Sequence, residues 1–301
     1  MQTVWEQLSK EVSDAVARAG RSVVAVDGRA GHTSSGIIFR PDLVLTANHT
    51  VASGGASIVL DSGAALSAKV VGRAAGAGVA LLRLDQPLDA AAAEFAETAS
   101  LAVGQFVVAV ARTRRGNLVA SSGILGGLMG EWQPARVRID QFIRPDLTLY
   151  PGFSGGPLIG PDARILGMTT GGLLRGKPIT VPASTLVRTA EALLAKGHVA
   201  TPYIGLVMQP VALPEALQQA SGLGSGAGLL VMHVEPGAPA DAAGILIGDI
   251  LVDVDGHACE DIEKLHEVLA ERGVGREIKV IAIRGGVRAE STVKIGERPL
   301  R

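Results

Sequence analysis

The sequence is poor in cysteine, in aromatic residues and in unbalanced charge. A single cysteine, Cys259, excludes a disulfide within the chain. Aromatic residues make up only 3% of the 301 residues, whereas hydrophobic residues make up 47%. The 28 Lys and Arg residues nearly balance 29 Asp and Glu residues, and neither sign forms a block. The composition therefore indicates an aliphatic core and argues against a nucleic-acid partner.

Signals for membranes, export and cofactors are also missing from the sequence. No run approaches the roughly 18 uncharged apolar residues of a membrane span. The first twenty residues lack the apolar run of a signal peptide and include several charges, Glu6, Lys10, Glu11, Asp14 and Arg18. We therefore expect no membrane span and slightly favour a cytoplasmic over a periplasmic location. No cluster at metal-ligand spacing and no phosphate-binding loop is visible, so we expect no metal and no other cofactor.

The length is sufficient for about two domains, and the pattern changes twice along the chain. In residues 1–20, four apolar residues recur at helical spacing and predict an amphipathic helix: Trp5, Leu8, Val12 and Val16. Residues 21–197 consist of many short strand-like segments separated by turn residues, which is typical of a β-barrel or β-sandwich. Strand candidates in its second half are 105–111, 137–143, 158–159, 165–170 and 178–181.

A helix over 184–196 closes this β-rich region, and Gly197 ends the helix. After a linker at 198–201, residues 202–298 alternate short strands with short helices. This arrangement predicts a smaller second domain of the α+β class.

One serine, Ser154, lies in the glycine-rich stretch Tyr-Pro-Gly-Phe-Ser-Gly-Gly-Pro-Leu at 150–158. The glycines permit a sharp turn that exposes the hydroxyl and directs backbone N–H groups to one point. A nucleophile beside an oxyanion hole needs this geometry. The alternative is a loop that only reverses the chain.

A serine nucleophile needs a base, and His49 is the best candidate. It directly follows an apolar strand, Leu-Val-Leu-Thr-Ala at 43–47, where an imidazole can be held rigidly. The other five histidines lie in glycine-rich loops, within a strand or on a helix, and are better explained as structural or surface residues. His49 and Ser154 are distant in sequence, so only folding can bring them together.

Six motifs in a fixed order carry a resemblance to a known family. They are SSGIIF, VLTANHTV, VVGRAAGAGVALLRL, PDLTLYPGFSGGPLI, TPYIGLVMQ and EPGAPADAAGILIGDILVDVDG. The first four resemble the trypsin-like domain of HtrA-type (DegP-like) serine proteases, and the last two resemble the PDZ domain that follows it. The resemblance implies a mainly β chain with a trypsin-like double β-barrel, a C-terminal α+β PDZ domain and a short N-terminal helix.

The resemblance also implies roles for individual residues. Ser154 is the expected nucleophile, His49 the expected base, and the N–H groups of Gly152 and Ser154 the expected oxyanion hole. Phe153 and Tyr150 stand where the family has Asn, so we expect an unusual substrate groove.

The acid of the triad is missing. The family places an Asp immediately before the strand that reads Val-Ala-Leu-Leu-Arg-Leu here, and Gly78 stands at that place. No carboxylate occurs between Asp61, expected in a hairpin turn, and Asp85, expected at the other end of the strand. Three alternatives follow. The chain is a slow Ser-His protease, or it borrows a carboxylate from elsewhere, or it is a pseudoprotease that binds polypeptides as a scaffold or chaperone.

The expected substrate pocket contains no acid. Members of the trypsin clan that cleave after Lys or Arg carry an Asp six residues before the serine, where this chain has Thr148. We therefore predict a preference for apolar residues at the cleavage site. The predicted pocket residues are Thr148, Leu149, Tyr150, Phe153, Met168, Thr169 and Thr170.

In the second domain, four residues resemble the carboxylate-binding loop of PDZ domains: Tyr203, Ile204, Gly205 and Leu206. Such a loop binds the C-terminus of a peptide, which adds a strand to the sheet edge. The expected partners are therefore polypeptide substrates and C-terminal peptides. The resemblance adds a homotrimer through the N-terminal segment.

Overall fold

A computed structural model of the protein describes residues 3–29, 32–132, 137–174, 177–215, 217, 218 and 226–299. The chain divides into two compact units, one ending at Val199 and the other beginning at Ala200. Among the described residues, no helix has both the length and the apolar character needed to cross a bilayer.

The first unit begins with helix α1, Val4–Gly20. Its start is a capping box, in which the Glu6 N–H donates to Thr3 Oγ1 at 3.2 Å and the Thr3 N–H donates to the Glu6 carboxylate at 2.7 Å. The small residues Ala15 and Ala19 are buried near the C-terminal end of α1, whereas the N-terminal half is exposed. The helix is therefore anchored by its last turns.

Six strands close the first barrel in the order β1-β2-β3-β6-β5-β4. Every residue of β3 is buried, because Val44 points into the barrel core while Leu43 and Leu45 pack in the cluster shared with the second barrel. A strand buried on both faces is a continuous apolar run, as the sequence shows. The strands are β1 Val23–Arg29, β2 His32–Arg40, β3 Leu43–Ala47, β4 Ala56–Val59, β5 Ala65–Ala74 and β6 Val79–Leu84.

Six further strands close the second barrel in the order β10-β11-β12-β9-β8-β7. Helix α2, Ala183–Lys196, follows this barrel and ends at Gly197, which has φ +75°. The strands are β7 Phe106–Arg112, β8 Leu118–Met129, β9 Phe142–Asp146, β10 Pro157–Ile159, β11 Ile165–Leu174 and β12 Lys177–Pro182. The predicted fold class, a double barrel with few helices, is confirmed.

The strand predicted over 137–143 is wrong, because the strand β9 runs over Phe142–Asp146 instead. Val137 and Ile139 alternate with charged residues as in a strand, but Asp140 is held by α2. Its carboxylate accepts hydrogen bonds from Ser184 Oγ at 2.6 Å and from Arg188 Nη1 at 2.5 Å. These contacts keep the segment out of the barrel ladder.

The second unit is built on a sheet with the order β14-β15-β16-β18-β19. The first and last strands of this unit, β13 and β20, form a separate two-stranded sheet. Leu265, Val268 and Leu269 of helix α4 fill the core, together with Cys259. Burial raises the pKa of the Cys259 thiol to about 12, which makes it unreactive near neutral pH. The elements are β13 Pro202–Tyr203, β14 Leu206–Ala212, β15 Ala227–Val234, α3 Pro239–Ala242, β16 Ile250–Val254, β17 His257–Ala258, α4 Ile262–Arg272, β18 Glu277–Arg284, β19 Val287–Lys294 and β20 Gly296–Glu297.

A buried arginine ties three parts of the first unit together. The Arg112 side chain donates to the carbonyl oxygens of Gly20 at 2.6 Å, Val23 at 2.5 Å and Gly116 at 2.5 Å. These carbonyls belong to the end of α1, to β1 and to the turn after β7. Burial lowers the pKa of Arg112 from its usual value. The guanidinium thus satisfies the carbonyl groups of three buried residues.

Replacing Arg112 by Met is expected to destabilise the first unit by about 3 kcal/mol, since buried carbonyls left without donors each cost a substantial desolvation penalty. Urea unfolding followed by tryptophan fluorescence measures the loss, because both tryptophans, Trp5 and Trp132, lie in this unit. The control is Arg114→Met, which removes an arginine whose side chain is 65% exposed. Equal unfolding midpoints for the two variants would contradict the role assigned to Arg112.

Candidate active site

The loop that carries Ser154 is anchored by both barrels. From β2, the Ser35 N–H donates to Ser154 O at 2.9 Å and Ser35 Oγ donates to Gly152 O at 2.8 Å. From β11, Thr169 Oγ1 donates to Phe153 O at 2.9 Å, and Thr169 O accepts from the Gly155 N–H at 2.9 Å. Three successive carbonyl groups of the loop are thus fixed in direction.

The glycine at 155 allows this loop to pack against the first barrel. Gly155 has φ +88°, a conformation that favours glycine. A Cβ atom on Gly155 would lie 2.1 Å from Ser35 O and 2.6 Å from Thr46 Oγ1. Ser154 is therefore held beside the end of β3, the strand that leads to His49.

Two backbone donors of the loop are available to a ligand. Among the residues that the structure describes, neither the Gly152 N–H nor the Ser154 N–H donates to a protein acceptor. The space next to Gly152 is open, since a Cβ atom there would meet only Thr33 O, at 3.8 Å. Free backbone N–H groups beside a serine hydroxyl are suited to stabilise an oxyanion when they point to one position.

His49 lies in a 3₁₀ turn, Asn48–Thr50, directly after β3, and its side chain is exposed. Arg73 holds this turn. Its Nη1 donates to Asn48 Oδ1 at 2.9 Å, and its Nη2 donates to Ala52 O at 2.6 Å. Sequence reasoning missed Arg73, because a lone arginine on a strand carries no local signal of this role.

A bulge in β11 contacts both catalytic candidates. Between Thr170 and Leu174, β11 advances four residues while its partner β12 advances only two. Within this bulge, the Gly171 N–H donates to Ser154 Oγ at 3.4 Å. A Cβ atom on the next residue, Gly172, would lie 2.4 Å from His49 Nδ1. Ser154 and His49 therefore meet at the same short segment of backbone.

Position 78, where the resemblance predicts the acid of the triad, lies next to the histidine turn. β6 begins at Val79, opposite Ala47, and Gly78 O accepts a hydrogen bond from the Asn48 N–H at 2.9 Å. A Cβ atom on Gly78 would lie 3.1 Å from Cγ of Leu173. Asp85 follows the far end of β6, with its carboxylate 3.8 Å from Lys69 Nζ. No acid stands at position 78, and a leucine fills the adjoining space.

The predicted pocket residues fall into two groups. Thr148 and Tyr150 are exposed, and Leu149 is partly buried. The other four have relative exposures of 2% or less: Phe153, Met168, Thr169 and Thr170. Their place in the pocket wall stays a prediction. Phe153 packs in the core of the second barrel, Met168 packs in the core between the barrels, and the Thr169 hydroxyl supports the serine loop.

In the second unit, the residues predicted to bind a carboxylate, 203–206, lie at the start of β14 and are held by backbone hydrogen bonds. Ile204 O accepts from the Ala240 N–H and Gly205 O from the Glu235 N–H, both at 2.9 Å. In the described part of the chain, the Ile204 and Gly205 N–H groups donate to no backbone acceptor. Leu206 begins β14, which is an edge strand. The Tyr203 hydroxyl donates to Glu235 and thereby braces the loop.

Named relatives share most of this chain. A protein of Halomonas elongata, "Probable periplasmic serine endoprotease DegP-like", is 27% identical over 94% of this chain and 61% of its own length. A Rickettsia conorii protein of the same name is 30% identical over 87% of this chain and 53% of its own. The chain thus spans little more than half the length of these two relatives.

The expected preference for a cytoplasmic location is wrong. Both of these relatives are named as periplasmic proteins. The charged residues within 1–20 belong to the amphipathic helix α1, so they do not indicate in which cellular compartment the protein acts.

A solved structure and two family models agree on the architecture. The structure "HtrA-type protease AlgW with decapeptide" matches with a TM-score of 0.75 at 22% identity, covering 96% of this chain and 99% of the other, and supports the fold. A trypsin-like peptidase domain matches residues 34–168, and a PDZ domain matches residues 202–295. The chain is therefore a trypsin-like peptidase domain followed by one PDZ domain, and its relatives are the HtrA-type, DegP-like serine proteases.

Proposed function

We propose that the protein is a serine endopeptidase that hydrolyses polypeptides with Ser154 and His49. The observation that carries this proposal is the shared contact of both residues with the bulge of β11. Ser154 Oγ accepts from the Gly171 N–H, and the His49 ring lies against Gly172. The free N–H groups of Gly152 and Ser154 supply the third component, an oxyanion hole.

The proposed reaction follows the serine protease scheme. Ser154 Oγ attacks the scissile carbonyl carbon while His49 takes the hydroxyl proton, and the carbonyl oxygen becomes an oxyanion held by the Gly152 and Ser154 N–H groups. The C–N bond then breaks, and His49 returns the proton to the leaving amine. Water, deprotonated by His49, hydrolyses the acyl-enzyme and regenerates Ser154. Because Nδ1 faces Gly172, Nε2 is the nitrogen assigned to proton transfer.

The missing acid implies slow turnover. In a related triad, removal of the acid's charge lowered turnover by about 10⁴-fold, which corresponds to about 5 to 6 kcal/mol of transition-state stabilisation. The second candidate function is polypeptide binding without cleavage, and the observation that favours it is Leu173 beside Gly78. An apolar leucine side chain cannot stabilise an imidazolium ion.

The proposed specificity is for apolar residues at the cleavage site. Thr148 stands where basic-specific relatives in the trypsin clan have an acid. The partly buried Leu147 and Leu149 pack against the apolar cluster that contains Phe153. No negative charge at position 148 is available to stabilise a bound Lys or Arg.

The PDZ domain is proposed to bind the C-termini of polypeptides at Ile204 and Gly205. The whole protein is proposed to act in the periplasm, by analogy with the names of its relatives. A homotrimer through α1 also remains a proposal, supported by the exposure of Val4 (81%) and Trp5 (79%) on that helix.

Substitution of Ser154 by Ala is expected to abolish both casein hydrolysis and labelling by a fluorophosphonate, because it removes the proposed nucleophile. The control is Ser67→Ala, which changes an exposed serine of β5. Labelling of the wild type and of Ser67→Ala, but not of Ser154→Ala, supports the endopeptidase. Absence of both turnover and labelling in the wild type would favour the binding function instead.

Cleavage sites in an unfolded protein substrate, mapped by mass spectrometry, are expected to follow apolar residues. The reason is that burying a Lys or Arg side chain without a counter-charge costs several kcal/mol, on the order of the penalty for other unpaired buried charges. A map dominated by Lys and Arg would show that an acid from elsewhere enters the pocket.

Peptides with a free apolar C-terminus are expected to bind the protein at least ~10-fold more tightly than their C-terminal amides, since a charge-assisted hydrogen bond is worth about 1.5–3 kcal/mol. Isothermal titration calorimetry measures the difference. Gly205→Ala is expected to abolish binding, because a Cβ atom there would lie 2.2 Å from Ala238 Cβ.

Gly256→Ala is the matched control for this loop. Its φ, +85°, is close to the +83° of Gly205, but no atom lies within 4 Å of a Cβ at position 256. Both variants therefore introduce similar backbone strain, and only Gly205→Ala disturbs the loop. Equal loss of affinity in both variants would contradict a carboxylate site at residues 203–206.

A further inference from the structure

We propose that Leu173 occupies the place of the missing triad acid and that the backbone of Gly172 positions the His49 ring in its stead. The pair Gly78–Leu173 has thus replaced a charged contact by an apolar one. This inference rests on the proposed function of Ser154 and His49, and it assigns positioning residues to that site.

The first observation is the space beside Gly78. The three atoms nearest to a Cβ atom on Gly78 would all belong to one side chain, with Leu173 Cγ at 3.1 Å and its two methyl carbons at 3.2 and 3.4 Å. An acid at position 78 would begin in contact with these apolar atoms. A carboxylate placed there loses hydration without a compensating partner, so its charged form is disfavoured.

The second observation is the contact between Gly172 and the imidazole. A Cβ atom on Gly172 would lie 2.4 Å from Nδ1, 2.8 Å from Cε1 and 3.0 Å from Cγ of His49. The first two distances are too short for any side chain, so the ring holds its place only because residue 172 is glycine. The backbone of Gly172 therefore restrains the ring from the Nδ1 side, the side that the acid of a triad would engage.

The bulge of β11 links the two observations. Gly172 and Leu173 are adjacent, and both belong to the segment between Thr170 and Leu174 that leaves the regular ladder. Leu173 is partly buried and packs against the cluster that contains Ala77 and Val79, the residues on either side of Gly78. Packing of Leu173 into this cluster thus keeps Gly172 against His49.

The consequence is that neither Gly172 nor Leu173, which restrain the base by packing, supplies it with a charge. Packing restrains the ring in the ground state and equally in the transition state. It does not stabilise the imidazolium ion that forms when Ser154 attacks. The loss relative to a full triad is therefore expected in kcat, with little effect on KM.

The test is a cycle of three variants, Gly78→Asp, Leu173→Ala and the double variant, assayed for kcat and KM on a peptide ester and for the rate of fluorophosphonate labelling. Asp is among the residues that tolerate the positive φ of Gly78, +68°. We expect Gly78→Asp alone to give no gain, because Leu173 excludes a charged side chain. The double variant is expected to raise kcat by about 100-fold or more, a part of the roughly 10⁴-fold effect of a triad acid, with KM unchanged.

The matched control is Gly78→Asn combined with Leu173→Ala, which has the same shape without the charge. It is expected to show no gain. A gain from Gly78→Asp alone equal to that of the double variant would overturn the inference, as would a folded double variant with no gain. Thermal unfolding establishes that each variant is folded.

A second measurement tests Gly172 directly. Gly172→Ala is expected to lower kcat by about 100-fold, as displacements of a catalytic group by roughly 1 Å do, and to change the imidazole ¹⁵N shifts of His49. Gly54→Ala is its control, because nothing lies within 4 Å of a Cβ at position 54. Unchanged kcat and ¹⁵N shifts in Gly172→Ala would contradict the positioning role.

Failure of the proposed function is distinguishable from failure of this inference. If the wild type neither cleaves nor reacts with the fluorophosphonate, the endopeptidase proposal fails. Labelling that then appears in the double variant, and is removed by Ser154→Ala, would still support Leu173 as the residue in the acid's place. Without such labelling, the inference fails as well.

Discussion

The candidate site depends on one irregularity of the backbone, the bulge of β11 between Thr170 and Leu174. In a regular strand, the backbone groups of this segment would form ladder hydrogen bonds with neighbouring strands such as β12. The bulge instead directs the Gly171 N–H to Ser154 Oγ and places Gly172 against the His49 ring of the first barrel. Ser154, His49 and the space beside Gly78 each contact it, so a change in the bulge is transmitted to all three.

The nucleophile loop is in turn connected to distant parts of the first unit through polar contacts. Ser35 Oγ donates to Gly152 O and accepts from the Arg112 N–H at 3.0 Å. The Arg112 guanidinium reaches Gly20, the last residue of α1. A continuous set of hydrogen bonds therefore joins the end of the N-terminal helix to the loop that carries the oxyanion donors. Because the intervening groups are buried, each of them needs its partner to remain satisfied.

Secondary structure was predictable where the pattern of apolar residues in the sequence matches the pattern of buried residues in the fold. The buried strand β3 and the helix α2 have apolar patterns that match their surroundings. The strand β8 escaped prediction, because its sequence is rich in Gly and Ser and half-exposed, and lacks the β-branched alternation of a strand. The misplaced strand at 137–143 has the opposite cause, since its apolar alternation is overridden by the contacts of Asp140 with α2.

By itself, the sequence determined the order of the domains, the candidate nucleophile and base, and the absence of an acid at position 78. Each of these depends on the chemical identity of residues within short motifs and on the order of those motifs. Tertiary structure alone decided the supporting roles of Ser35, Arg73 and Leu173 and the burial of Phe153. Ser35 and Gly152, for example, are separated by 117 residues, and no local pattern specifies a contact across that distance. The candidate catalytic residues could be inferred from motifs. The packing that orients their side chains arises only where segments remote in sequence come into contact.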